Sequence, residues 1–258
     1  MKVRDITDAI EAHAPLAAQE DWDNSGLLIG SPDDTVHGVL IGFDCTPELV
    51  DEAIAGGYDL IVTHHPLIFN GLRHIGPEDA VGRAVMKAIR GGVAVYATHT
   101  ASDKVLSGVS GALAAKLGLE DVRLLEGGDG EEFGLGVVGC FPEPLTVSEV
   151  RQILKKNCGV RSIRCSKPLR TPIRRVALCG GSGSSLIGAA RRAGAELYIS
   201  ADISYHHFFT EEGFMLMDIG HFESEVAITD ILFTWIRKKF PNFAVRISEN
   251  LNNPVYYY

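Results

Sequence analysis

Asp59-Leu60-Ile61-Val62-Thr63-His64-His65-Pro66 decides how this chain is read. The apolar, β-branched run from Leu60 to Thr63 reads as a strand buried on both faces. Pro66 stops it, because proline has no N–H to give to a ladder. Two imidazoles thus arrive at the carboxyl end of a strand, where α/β sheets bind their ligands. Neighbours on extended backbone point to opposite faces. His64 and His65 are therefore expected to diverge, and to serve two separate ions if the chain bends at Pro66.

Working outward, Val39–Phe43 reads as a preceding strand, followed by Thr46 as a helix cap, Pro47 at the first helical position and Gly56-Gly57 as the stop. Downstream, a helix over 78–90 ends at Gly91-Gly92, and a strand over 93–97 runs into His99-Thr100-Ala101-Ser102-Asp103. A helix over 109–117 follows. Alternating strands and helices predict a mainly parallel sheet. Ahead of this lie a helix over 3–14 and the segment Asp21–Gly30, in which Asp23 and Asn24 read as turn formers.

The chain then starts again. Shifted without a gap, Val39 falls on Val176, Gly57 on Gly194, Leu60 on Leu197 and Thr63 on Ser200. Gly213–His221 resembles Gly91–His99, which sets His99 to Asp103 over His221 to Glu225. The expected fold is α/β: two pseudo-repeated lobes with mainly parallel sheets, residues 1–125 and 126–258, and a metal site in the cleft between them. Residues 126–172 read as an inter-lobe junction, with a loop at Gly127–Gly130, a strand over 134–141, a helix over 147–156 and a strand near 160–165. The C-terminal helix, over 226–239, is free to pack back on the first lobe.

The 258 residues carry a net charge of −9, with 46% hydrophobic and 22% charged residues, as in a globular protein with ample core. That balance argues against a broad basic face for nucleic acid, and the arginines between 161 and 175 read as a solvated edge. Five cysteines without a Cys-x-x-Cys pair argue against both a disulfide framework and a thiolate metal site. No apolar run approaches a membrane span, and the start of the chain has no apolar signal core, so a cytoplasmic protein is expected.

His64, His65, Asp103, His221 and Glu225 form the candidate metal set. Imidazole and carboxylate suit Zn²⁺, Fe²⁺ or Mn²⁺. Two ions about 3.5–4 Å apart are the usual arrangement for metal-assisted hydrolysis. His99 and His206 are candidates for proton transfer, and Asp202, opposite His65 in the repeat, for orienting a ligand or touching substrate. His13, His37 and His74 read as surface or packing residues. Gly180-Gly181-Ser182-Gly183-Ser184-Ser185 lies between a strand and a helix and reads equally as an anion loop or a tight turn.

Trp22-Asp23-Asn24-Ser25-Gly26-Leu27, Thr63–Pro66, His99–Asp103, Asp202–His206 and Gly220–Glu225 together resemble the NIF-three-like family of dinuclear metal-centre proteins, the GTP cyclohydrolase 1 type 2 homologues. The resemblance spans nearly the whole chain. It implies paired metal ions between two lobes, held by His64, His65, Asp103, His221 and Glu225, and a ring-shaped homohexamer. This chain is too short for the domain that longer members carry in mid-chain. A metal-dependent hydrolase acting on a nucleotide or phosphoester is the first functional reading. A non-catalytic, metal-responsive scaffold is the alternative.

Overall fold

The computed structural model describes residues 1–127 and 132–258. In chain order the elements are α1 (Val3–Glu11), β1 (Gly26–Ile29), β2 (Gly38–Ile41), α2 (Pro47–Gly56), β3 (Leu60–Thr63), α3 (Ala80–Gly91), β4 (Ala94–Ala97), α4 (His99–Asp103) and α5 (Val109–Leu117). There follow β5 (Glu120–Leu124), β6 (Val137–Leu145), α6 (Val147–Cys158), β7 (Arg164–Cys165), β8 (Ile173–Ser182), α7 (Ile187–Arg192), β9 (Leu197–Ala201), β10 (Met215–Asp218), α8 (His221–Glu225), α9 (Ile228–Lys239) and β11 (Ala244–Ile247). Helix ends follow their local chemistry. Thr46 caps α2 through its hydroxyl, which accepts from the Leu49 N–H at 3.2 Å, and left-handed Gly57 and Gly92 close α2 and α3.

The fold is α/β. Among the described residues the strands form a five-stranded sheet, β1-β4-β3-β2-β11, and a six-stranded sheet, β5-β6-β8-β9-β10-β7. Each belongs to its own compact unit, the first made of Met1–Ser102 with Ile228–Asn252, the second of Asp103–Ala227 with Asn253–Tyr258.

In the first unit β2, β3, β4 and β11 are parallel and β1 is antiparallel at the edge. Leu40, Ile61 and Val95 face Leu49, Val50, Ala84 and Ala88 of α2 and α3. On the alternate face the Tyr96 hydroxyl donates to Glu11 of α1 at 3.0 Å, and α1 packs with α9. In the second unit Val176, Leu178, Leu197 and Ile199 pack against Leu113 and Leu117 of α5 and Leu154 of α6. Ala177, Cys179, Tyr198 and Leu216 pack against Leu186 and Ala190 on the other side.

The repeat is visible in the registers. Val39 pairs with Leu60 and Leu60 with Ala94 in the first sheet; Val176 pairs with Leu197 and Leu197 with Met215 in the second. Even the edges correspond, since β1 lies antiparallel to β4 as β7 does to β10.

The division at Ser102–Asp103 differs from the expected one at 125–126, because the apolar side of α5 belongs to the second core. Residues 126–172 are not a mere junction: β6, α6 and β7 lie there, and β6 and β7 are strands of the second sheet. The loop expected at Gly127–Gly130 lies, apart from Gly127, outside the described residues. β5 is an added strand, with no counterpart in the sequence reading. No helix of the described residues is long and apolar enough to cross a membrane.

Candidate metal centre

β3 ends at Thr63, one residue before the histidines. The N–H groups of both His64 and His65 donate to the single carbonyl of Phe43, each at 3.2 Å. A backbone that brings two consecutive N–H groups to one acceptor is bent, not extended, so the alternation rule no longer applies. The two rings therefore sit side by side, centroids 4.8 Å apart, with Phe43 against both. This corrects the expectation that they diverge, and the bend precedes Pro66. His99 joins them at 5.6 Å from each ring.

Each imidazole is oriented through Nδ1. Asp44 holds His65 at 2.7 Å, and Asp23 holds His99 at 2.6 Å. A carboxylate only accepts, so Nδ1 carries the hydrogen and Nε2 the lone pair. His64 Nδ1 lies 3.3 Å from Ser102 Oγ, whose own hydrogen goes to the His99 carbonyl at 2.8 Å. Ser102 therefore accepts from His64, and the same tautomer results. Histidines oriented by an outer carboxylate or hydroxyl in this way are the pattern of metal ligands.

Asp23 is more than a turn former. Its buried carboxylate accepts from His99, from the Thr100 N–H at 3.1 Å and hydroxyl, from the Ser25 hydroxyl at 2.7 Å and from the Asn24 N–H at 2.6 Å. Burial pushes its pKa up, but these donors prevail and hold it well below the usual carboxylate range. His99 itself takes a positive φ of 25°, a backbone conformation kept only where the surroundings over-determine it.

The second unit repeats the arrangement with more oxygen donors. α8 begins at His221 and ends at Glu225, just as α4 begins at His99 and ends at Asp103. His221 Nδ1 meets Asp202 at 2.7 Å, and its Nε2 lies 3.0 Å from Glu225. Asp202 thus orients a histidine, the role left open for it beside substrate contact. The Glu225 side chain is 5% exposed. It has room only because residue 181 is glycine: a Cβ there would lie 2.1 Å from Glu225 Oε1 and 3.4 Å from His221 Cε1. Burial first, then the charges of Asp103 and Glu225, push the Cys179 thiol well up.

The stretch 180–185 is the end of β8 running through Gly183 into a 3-10 turn, Ser184–Leu186, and its glycine N–H groups are engaged within the protein and not offered to an anion. Its Gly180, Gly181 and Gly183 N–H groups donate to the hydroxyls of Ser110, Ser224 and Ser200 at 3.3, 2.9 and 3.0 Å. His206 is exposed on the turn Tyr205–Phe208 with its ring against Tyr205 at 5.4 Å.

Sequence reasoning missed Asp44 and Asp23 as histidine partners. Asp44 follows β2 at the sheet edge where ligands gather, which was the available signal; Asp23 lies within the Trp22–Leu27 motif. In the first unit the oriented Nε2 lone pairs of the histidines, and in the second the pairing of His221 Nε2 with the near-buried Glu225 carboxylate at 3.0 Å beside a glycine-made space, are donor chemistry that fits a divalent metal.

Fold and site define a repeated α/β protein with histidines and carboxylates gathered at its strand ends. The chain belongs to the Duf34/NIF3 (NGG1p interacting factor 3) family, whose model matches residues 1–254. A Clostridium perfringens protein named GTP cyclohydrolase 1 type 2 homolog is 34% identical over 228 residues, 87% of either chain. One of the same name from Streptococcus pneumoniae is 31% identical over 266 aligned positions, covering all of both. The Staphylococcus aureus protein SA1388 superposes with a TM-score of 0.90 at 28% identity, over 100% of this chain and 99% of that one. A Bacillus cereus protein related to NIF3 shares the fold, with a TM-score of 0.92 at 24% identity over 100% and 99% of the two chains.

Proposed function

We propose that this protein is a metal-dependent hydrolase acting on a nucleotide or phosphoester, with His64, His65, Asp103, His221 and Glu225 as the ligands of two divalent ions. The observation that carries the reading is the fixing of histidine tautomers by carboxylates, Asp44 on His65 at 2.7 Å and Asp202 on His221 at 2.7 Å. Two such ions, when bound, supply a water nucleophile at neutral pH and Lewis-acid activation of the electrophile. Asp103 and Glu225 neutralise the added charge. His99, its Nδ1–H held by Asp23, presents Nε2 as the base that takes a proton, and Asp23 stabilises the imidazolium that results. The names of the relatives favour a purine nucleotide. The resemblance also supports self-assembly into a hexameric ring, for which light scattering is the check. The five free cysteines suit a reducing compartment, and we assign the protein to the cytoplasm.

Metal content per chain, read by mass spectrometry, tests the centre. Wild type is expected to hold about two ions per chain, and Glu225→Ala fewer. Turnover of nucleotides and phosphoesters is expected to vanish in Asp103→Ala with the far-UV spectrum unchanged. No uptake of Zn²⁺, Fe²⁺ or Mn²⁺ overturns the reading. Uptake without turnover leaves a metal-responsive binding protein.

A further inference from the structure

We propose that Trp22 and Phe69 form a stacking platform for the planar heteroaromatic ring of the substrate, a nucleobase. The inference rests on the nucleotide reading above and adds the residues that select the ring. Trp22 is 60% exposed and Phe69 45% exposed, an unusual state for two large rings already in contact with each other. Their centroids are 6.0 Å apart, and His99 meets Trp22 at 6.0 Å and Phe69 at 5.9 Å, all edge to face. His99 in turn adjoins His64 and His65. One run of rings thus leads from the ligand histidines to an exposed aromatic end.

The exposed end is built in place. The three rings come from separate segments, and the two residues after Trp22 stitch them together. Asp23 binds His99 and Thr100, and the Asn24 amide donates to the Ile68 carbonyl, next to Phe69, at 2.5 Å. A surface patch that only needs to be apolar has no use for this; a preorganised ring surface does, since ordering it in advance lowers the cost of binding. Next to Trp22 in the chain stand Asp21, exposed, and Glu20, partly exposed. Carboxylates there repel phosphate and accept from ring N–H groups, so the base and not the phosphate belongs at this end.

The test uses the full chain with its metal counted in each sample. Trp235→Phe leaves Trp22 as the only tryptophan, the sequence having two. Guanosine and adenosine are expected to quench Trp22 emission saturably, and inorganic triphosphate is not. Phe69→Ala is expected to weaken nucleoside binding about tenfold or more, the usual effect of losing one stacking ring. Should Trp235→Phe fold poorly, equilibrium dialysis of guanosine on an otherwise wild-type background serves instead, with Trp22→Ala losing affinity and Trp22→Phe restoring most of it. Metal-loaded protein that binds no nucleoside, or binds it equally well in Phe69→Ala, overturns the inference. So does a Trp22→Ala chain that keeps nucleoside affinity but falls in particle mass, which makes the patch a contact between copies. Nucleoside binding lost in these variants of a chain that takes up no metal upholds the platform while refuting the hydrolase.

Discussion

At the scale of single residues, the histidines act through what holds them. Asp44 is partly exposed, with a side-chain accessibility of 42%, so its removal leaves the fold standing. Asp44→Ala is expected to lower metal affinity about 10–100-fold, as loss of such outer partners does, which competition with a chelating dye would measure; unchanged affinity removes His65 from the centre. Asp23 is the opposite case, buried and accepting from several donors. Asp23→Ala strands those donors and is expected to cost about 2–4 kcal/mol. Its folded pKa is depressed, so its contribution is complete above the unfolded value near 3.9 and is lost as pH falls toward the folded one. The melting temperatures of wild type and Asp23→Ala are thus expected to converge below about pH 4; a constant gap refutes the carboxylate's role. Neither partnership was legible in the sequence. Asp23 lies 76 positions before His99, and Asp44 lies 21 before His65. Local turn or cap chemistry is the default for such residues, and only the tertiary register reveals the longer reach.

Among the elements, what was legible is what periodicity and capping govern. The parallel core β2–β3–β4, its repeat as β8–β9–β10, and both His-x-x-x-acid segments just after their strands stand where spacing put them, although the short helices those segments form were not read. The ring directions of His64 and His65 were not legible, because they depend on the bend that brings both their N–H groups to the Phe43 carbonyl. Nor was the role of the 180–185 stretch, where the composition suits an anion but serines occupy the donors. Gly181 tests what that stretch does. It takes a φ of +60°, and a Cβ would collide with Glu225, whereas Gly213 takes a φ of +83° with nothing within 4 Å. Gly213→Ala is expected to cost only the backbone term, about 1–2 kcal/mol, with metal content intact. Gly181→Ala should cost more and should also lose metal. Equal metal content in the two variants, read by mass spectrometry, denies that Gly181 makes room for a ligand.

For the whole molecule, the informative fact is that the first unit is built from both ends of the chain. Alternation of strands and helices suggests a cut in the middle; packing of the C-terminal helix on the first lobe was left open by the sequence, but the joining of β11 to the first sheet was not read from it. β11 closes the edge of β2 in parallel register, from Ala244 on Gly38 to Ile247 on Ile41. Beyond it the Ser248 hydroxyl and Asn250 amide donate to Glu52 at 2.6 and 2.8 Å. In α9, Ile228, Leu232 and Ile236 are fully buried, and Trp235 stacks on His13 at 5.0 Å. Three such aliphatic side chains contribute about 1.5–3 kcal/mol each, so with the tryptophan they approach the whole net stability of a domain, about 5–15 kcal/mol. A chain ending at Ala227 is therefore expected to leave the first unit unfolded although all of residues 1–102 are present. The second sheet loses no strand by that cut, and the tail contacts it gives up include that of Asn253 with Glu223 at 3.0 Å. Hydrogen exchange read by mass spectrometry should then show β8–β10 protected and β2–β4 exchanging fast. Protection kept in β2–β4 would mean that the first sheet does not need its returning strand. Loss in both sheets alike would mean that the second unit does not hold its fold once residues 228–258 are gone.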